Sequence, residues 1–259
     1  MTTLKPIVRR IDSGRWPGRY YTVEGDPAVD PKERLPSVTT VLSVINKPAL
    51  TAWQVRQAVE DIGGVLRDEA TRLTGAMDPL DAENWVQEVM VRAKRKPDEI
   101  RDEAADLGTR CHAYLEAVIR GGALPTLSDD MKPSVDAFWS WYAVEEMDIE
   151  VQERMVYSAH YRFAGTEDGV ARHRGKKIIL DWKTSAGIYP EMALQLAAYW
   201  EADGEMTGEW ADEAWVIRFP KKEGDEPFEA KQLANIEGSW QTFYAALELW
   251  RGLKITQFV

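Results

Sequence analysis

The chain has a single cysteine, Cys111, in 259 residues. It can form no internal disulfide, which suits a reducing compartment, and it cannot supply four thiolates to an iron–sulfur cluster. No apolar run approaches the ~18 residues that a membrane-spanning helix needs. The opening Met1-Thr2-Thr3-Leu4-Lys5-Pro6 lacks the apolar core of a signal peptide. No membrane association and a cytoplasmic location are therefore expected. Basic charge is also in short supply: 32 Lys and Arg against 43 Asp and Glu leave a net charge of −11. This argues against broad electrostatic adhesion to nucleic acid, and any path for a polyanion must be locally basic. The H-E-x-x-H zinc pattern is missing, as are internal repeats and low-complexity tracts.

A hydrophobic content of 44% is enough for a sizeable core, and the length suits one elaborated domain. The informative stretch runs from Phe163 to Tyr199. At its centre Ile178-Ile179-Leu180 leads into Asp181-Trp182-Lys183, an apolar run that predicts a buried strand with charge at its end. Strand alternation puts Asp181 and Lys183 on one face and Trp182 on the other. A core has little reason to hold a carboxylate and an ammonium there, because desolvating them is costly. Asp168 lies thirteen residues upstream of Asp181, and Arg174-Gly175-Lys176 between them reads as a hairpin turn. The hairpin can bring Asp168 beside Asp181 across the ladder. Two carboxylates sharing a site repel unless a proton or a divalent cation lies between them. Oxygen ligands favour Mg²⁺ or Mn²⁺, and a lysine beside such an ion can orient a water. Metal-assisted phosphodiester hydrolysis is the chemistry these residue types suit.

Elsewhere, residues 1–34 read as a loosely ordered arm with a hairpin and a short strand at Arg19–Val23. Ser37 is an N-cap candidate for a short helix through Val38, Val41, Leu42 and Ile45 that breaks near Pro48. Helices are predicted over Leu50–Leu73, with a weak point at Gly63-Gly64, and over Asp81–Lys96, stopped by Pro97. The latter ends in Arg92-Ala93-Lys94-Arg95-Lys96. These cations suit either the negative end of a helix dipole or a phosphate-contacting patch. Asp98–Arg120 is the next helix, ended by Gly121-Gly122. His112 and Glu116 are one turn apart on it and by residue type alone read as a salt-bridged pair. Lys132–Met147 carries Phe138, Trp139, Trp141 and Tyr142, an aromatic stripe that reads as core. Val151–Ser158 and Tyr161–Ala164 are strands leading into Asp168, with Glu153 a surface strand residue. Pro190 opens a helix bearing Gln195 and Tyr199 one turn apart. Strands at Trp215–Phe219 and Phe228–Leu233 and a closing helix at Gly238–Trp250 complete the chain.

The ordered set of Asp168, Asp181-Trp182-Lys183 and Gln195-Leu196-Ala197-Ala198-Tyr199, with Gly108-Thr109-Arg110-Cys111-His112 upstream, resembles the PD-(D/E)XK nuclease superfamily in its RecB-like exonuclease branch. Leu180–Ser185 and Pro36-Ser37-Val38-Thr39 are most similar to the mitochondrial genome-maintenance single-strand exonucleases and their phage-encoded relatives. The resemblance spans about residues 35 to 250. It implies an α/β fold with a restriction-endonuclease-like mixed central sheet flanked by helices. It also implies an arm at 1–34 and one nuclease domain at 35–259 carrying a helical insertion at about 50–97.

The implied activity is that of a Mg²⁺- or Mn²⁺-dependent DNA exonuclease acting from the ends of single strands. The implied partners are DNA, single-stranded or with single-stranded ends, and replication or recombination proteins in repair, recombination or phage DNA metabolism. His112, Asp168, Asp181 and the Trp182 carbonyl would hold the metal. Glu116 would bind a second ion or orient His112, and Glu153 stands where family members often have a glutamate. Lys183 would position the attacking water, and Gln195 and Tyr199 would hold the substrate backbone. Thr184 and Ser185 would donate to phosphate, and Lys94, Arg95 and Lys96 would contact it. The alternatives are a duplex-dependent recombination exonuclease or an endonuclease with the same site, a catalytically silent DNA-binding module, and a CRISPR-adaptation accessory protein, which the single cysteine disfavours.

Overall fold

A two-residue turn sets the frame. Strands β5 (Phe163–His173) and β6 (Lys176–Lys183) are joined by Arg174 and Gly175, whose φ angles of 51° and 78° are those of a tight type I′ hairpin. The computed structural model describes residues 6–12, 18–69, 75, 78–145, 147–225 and 227–255. On one side of the hairpin β4 (Asp148–Ser158) pairs antiparallel with β5, with a bulge between Ile149 and Val151. On the other, helix α5 (Pro190–Thr207) carries the chain over to β7 (Glu213–Arg218), which lies parallel to β6 and pairs with β8 (Glu229–Gln232). The result is a five-stranded mixed sheet in the order β4-β5-β6-β7-β8 flanked by helices. This is the restriction-endonuclease-like α/β arrangement expected from the sequence.

The apolar run of β6 lies at the middle of the core, with Ile178, Ile179 and Leu180 fully buried. Against one layer pack Leu196, Ala197 and Tyr199 of α5 together with Trp240, Phe243 and Leu247 of α6 (Ile236–Ile255), a stripe at helical spacing. Trp182 meets instead Phe138 and Trp141 of α4 (Lys132–Glu145), at ring-centroid separations of 6.3 and 5.3 Å. The aromatic stripe is thus core at Phe138 and Trp141, although Trp139 faces outward.

The N-terminal segment is more ordered than its composition suggests. Strands β1 (Ile7–Asp12), β2 (Arg19–Glu24) and β3 (Leu35–Pro36) form a second, antiparallel sheet. Tyr21, Val23 and Val29 are buried, packing with Tyr157 and Ala164 of the main sheet. Among the described residues of the expected arm, β1 and β2 form the paired strands of its hairpin and pack on the main sheet, because the alternating Tyr21 and Val23 supply an apolar face that the surrounding Arg, Pro and Gly obscure. Ser37 caps α1 (Val38–Val41), accepting from the Thr40 amide, and a 3-10 turn at Leu42–Val44 follows.

Asn46–Thr109 is a second compact unit. In it α2 (Pro48–Asp68) runs unbroken through Gly63-Gly64; its expected extension to Leu73 lies outside the described residues. Val65, Trp85 and Val89 form this unit's small core. The expected stop at Pro97 does not occur: α3 runs from Pro79 to Ile119 with Pro97 inside it. The proline removes one intrahelical bond and crowds the carbonyl four residues earlier. That residue is Ala93, and the good helix formers on both sides carry α3 through the local cost. Residues of α3 from Arg110 onward belong to the first unit. Among the described residues no helix is long and apolar enough to cross a membrane.

Candidate active site

The last backbone pair of the β5–β6 ladder is Gly169 with Leu180, so Asp168 and Asp181 follow at its open end. The Trp182 amide donates to Asp168 Oδ2 at 2.7 Å. Asp181 is fully buried, with Gln195 Nε2 3.3 Å from Oδ1 and Lys183 Nζ 2.6 Å from Oδ2. Alternation along β6 separates these two charged side chains from the Trp182 indole, as the sequence pattern requires.

Two further groups close on Asp168. On β4, Glu153 lies between the pairs Gln152–Gly169 and Arg154–Glu167, opposite Asp168, and its φ of 47° is a left-handed conformation that non-glycine residues seldom adopt. From α3, His112 Nδ1 lies 3.6 Å from Glu153 Oε1 and 3.8 Å from Asp168 Oδ1. One ligand atom from each of His112, Glu153 and Asp168 lies within 4.8 Å of the others. Glu153 was expected to be a surface strand residue; its carboxylate instead joins the cluster, only part-exposed. Counting the β4–β5 register back from the Ser158–Phe163 corner would have revealed it. Asp181 is outside that close group and meets it through Asp168 and Lys183.

The charges perturb one another. Burial, reinforced by the neighbouring Asp181, pushes the Asp168 carboxyl upward even though His112 and Lys183 pull the other way. Burial opposes the charged forms of His112 and Lys183, but the carboxylates around them outweigh it, so both shift upward. Burial, then Asp181 and Asp168, holds the Tyr199 phenol well above its ordinary value. Gln195 Nε2 donates to Tyr199 Oη at 3.0 Å, which makes Asp181, Gln195 and Tyr199 a connected chain. Only glycine fits at 165, since a Cβ there would lie 2.5 Å from Tyr199 Cε1.

The other residues singled out by sequence stand apart. Glu116 does not join the cluster: it pairs with Arg120 at 2.7 Å, one turn along and away from the His112 contacts. The Ser185 hydroxyl donates to the Gly187 carbonyl at 2.7 Å, while Thr184 is part-exposed in the same loop. Lys94 and Arg95 are exposed, and Lys96 is 3.8 Å from Glu99. Because α3 continues to Ile119, these cations do not lie at a helix end, and the dipole explanation for them lapses.

The donor set suits a hard divalent cation. It offers carboxylate oxygens and a single imidazole nitrogen, with no thiolate, a set that could hold a metal ion.

No protein-family model matches the sequence, and no curated protein matches it. Among solved structures the chain is similar to a protein designated SSO0001, at 14% identity over 79% of this chain and 86% of that one, with a TM-score of 0.37. It is also similar to an alkaline exonuclease from Laribacter hongkongensis, at 13% identity over 51% of this chain and 75% of that one, with a TM-score of 0.29. Neither likeness is close enough to bear on chemistry.

Proposed function

We propose that the chain is a metal-dependent DNA exonuclease that hydrolyses phosphodiester bonds from the ends of single strands. The observation that carries this reading is the convergence of Glu153, Asp168 and Asp181 with His112 and Lys183 at the open end of one hairpin. Asp168, Asp181, Glu153, His112 and the Trp182 carbonyl would hold Mg²⁺ or Mn²⁺. When bound, such an ion polarises the phosphoryl group and offsets charge that develops on it. Lys183, held by Asp181, positions the attacking water. Gln195 and Tyr199 bind the strand backbone next to it, and the Thr184 hydroxyl donates to a phosphate oxygen. Ser185, whose proton is engaged with Gly187, is the weaker donor. Lys94, Arg95 and Lys96 are phosphate contacts. Contacts of this kind position a strand without reading its bases, so cleavage is independent of sequence.

The test is digestion of 5′- and 3′-labelled single strands, duplexes and closed circles with Mg²⁺ or Mn²⁺. Release of short products from labelled single strands, with circles intact, is the expected outcome. Rapid cutting of closed circles would exclude dependence on an end, and preference for duplexes would shift the substrate to a recombination-type exonuclease.

A further inference from the structure

A cavity of about 450 Å³ opens in the first unit, where the loop before β3, the β4–β5 turn and the last turns of α6 meet. It is separate from the carboxylates: Arg162, on its wall, is six residues before Asp168, about 20 Å of extended strand. Four cations line it, Arg34, Arg162, Arg251 and Lys254, against one carboxylate, Glu33. That is a concentration of positive charge in a chain whose net charge is −11.

The cations are held in different ways. Arg162 Nη1 lies 3.1 Å from Glu33 Oε2. Arg251 is anchored by Glu248 and the Tyr161 carbonyl. Lys254 Nζ donates to Tyr20 Oη at 2.9 Å and lies 3.7 Å from the centre of the Trp250 ring. Arg34 is exposed and makes no hydrogen bond or ion pair with any described residue. The site therefore has guanidinium forks already oriented by the protein, a further one free to move, and a wall of two aromatic rings.

Forked guanidiniums match phosphate oxygens in pairs. Aromatic and guanidinium surfaces accept the face of a base. The volume is that of a small-ligand site. We infer that this cavity is a second binding site, for a nucleoside phosphate, with the phosphate on Arg34 and Arg162 and the base toward Tyr20 and Trp250. An extended acidic peptide would use the cations but leave the aromatic wall without a purpose. The inference needs neither cleavage nor a metal ion, so it stands apart from the proposed nuclease activity. The same chemistry is offered by a free nucleotide and by the terminal nucleotide of a strand.

Equilibrium dialysis of the full chain with labelled adenosine 5′-monophosphate, in excess EDTA, tests it. One site per chain is expected, with adenosine and inorganic phosphate each binding at least about tenfold more weakly. Arg34→Ala should weaken binding at least about tenfold, Arg34→Lys should restore part of it, and Lys183→Ala should leave it unchanged. A 5′-phosphorylated oligonucleotide that displaces the nucleotide supports the site with a strand end as its source. One that does not displace it supports the site with free nucleotide as its source. Absence of binding at millimolar nucleotide would overturn the inference. So would loss of binding in Lys183→Ala with none in Arg34→Ala, or equal displacement by a hexaglutamate peptide.

Discussion

Two clusters of charge are buried on the same five-stranded sheet, and they are built on opposite principles. In one, Arg154 Nε donates to Glu167 Oε1 at 2.6 Å and Arg154 also pairs with Asp203, whose Oδ2 lies 2.7 Å from Lys177 Nζ. Two cations meet two carboxylates, and Lys177 donates further to the Glu209 carbonyl at 2.5 Å. Burial pushes the Glu167 carboxyl up to about 8 against the pull of Arg154, and each ionisable group of the cluster has a partner within the chain. In the other, Glu153, Asp168 and Asp181 face one ammonium, Lys183, and one imidazole, His112. The first cluster fastens α5 to β4 and β6. The second holds an excess of negative charge that the fold does not neutralise, the condition under which a cation from solution binds.

Substitutions should separate the two. The largest expected effect is on chemistry. Asp181→Asn and Lys183→Ala should each lower DNA cleavage by at least about 100-fold. The thermal midpoint should hold or rise for Asp181→Asn as repulsion is relieved, and fall for Lys183→Ala, which leaves buried Asp181 without its ammonium. DNA binding by Asp181→Asn should persist, because its shape is unchanged. Near-normal turnover in either variant would break the assignment. Next in size is a stability effect at the balanced cluster. Asp203→Ala leaves Arg154 and Lys177 without their shared counter-charge and should cost about 3–5 kcal/mol in urea unfolding. A loss below about 1 kcal/mol would mean that this network is no fastening. The smallest effect concerns the surface. Reversing Lys94, Arg95 and Lys96 to Glu should weaken single-strand binding and flatten its salt dependence by a slope of about 2. An unchanged slope would reduce the patch to a solvated helix face.

What the sequence made legible was local. The run Ile178–Leu180 and the Arg174-Gly175 turn are enough to fix a hairpin, and once the turn has two residues Asp168 and Asp181 must end opposite each other. Gln195 and Tyr199 were readable because one helical turn brings them together. Features that depend on context were not readable. Pro97 looks like a helix stop, yet the good helix formers on both sides carry α3 through it. Glu153 looks like an exposed strand position until its left-handed backbone and its place opposite Asp168 are seen. Glu116 shares a helix face with His112 by spacing, but Arg120 takes it. The N-terminal composition hides an inward face two residues wide, Tyr21 and Val23.

Calorimetric titration of Mn²⁺ into the folded chain, without nucleic acid, measures the acid-rich cluster itself. Wild type should bind, and Asp168→Asn should lose at least about tenfold in affinity while keeping its unfolding midpoint. Equal affinity in the two proteins, or a folded wild type that takes up no Mn²⁺ or Mg²⁺, would contradict a divalent-cation site at this hairpin.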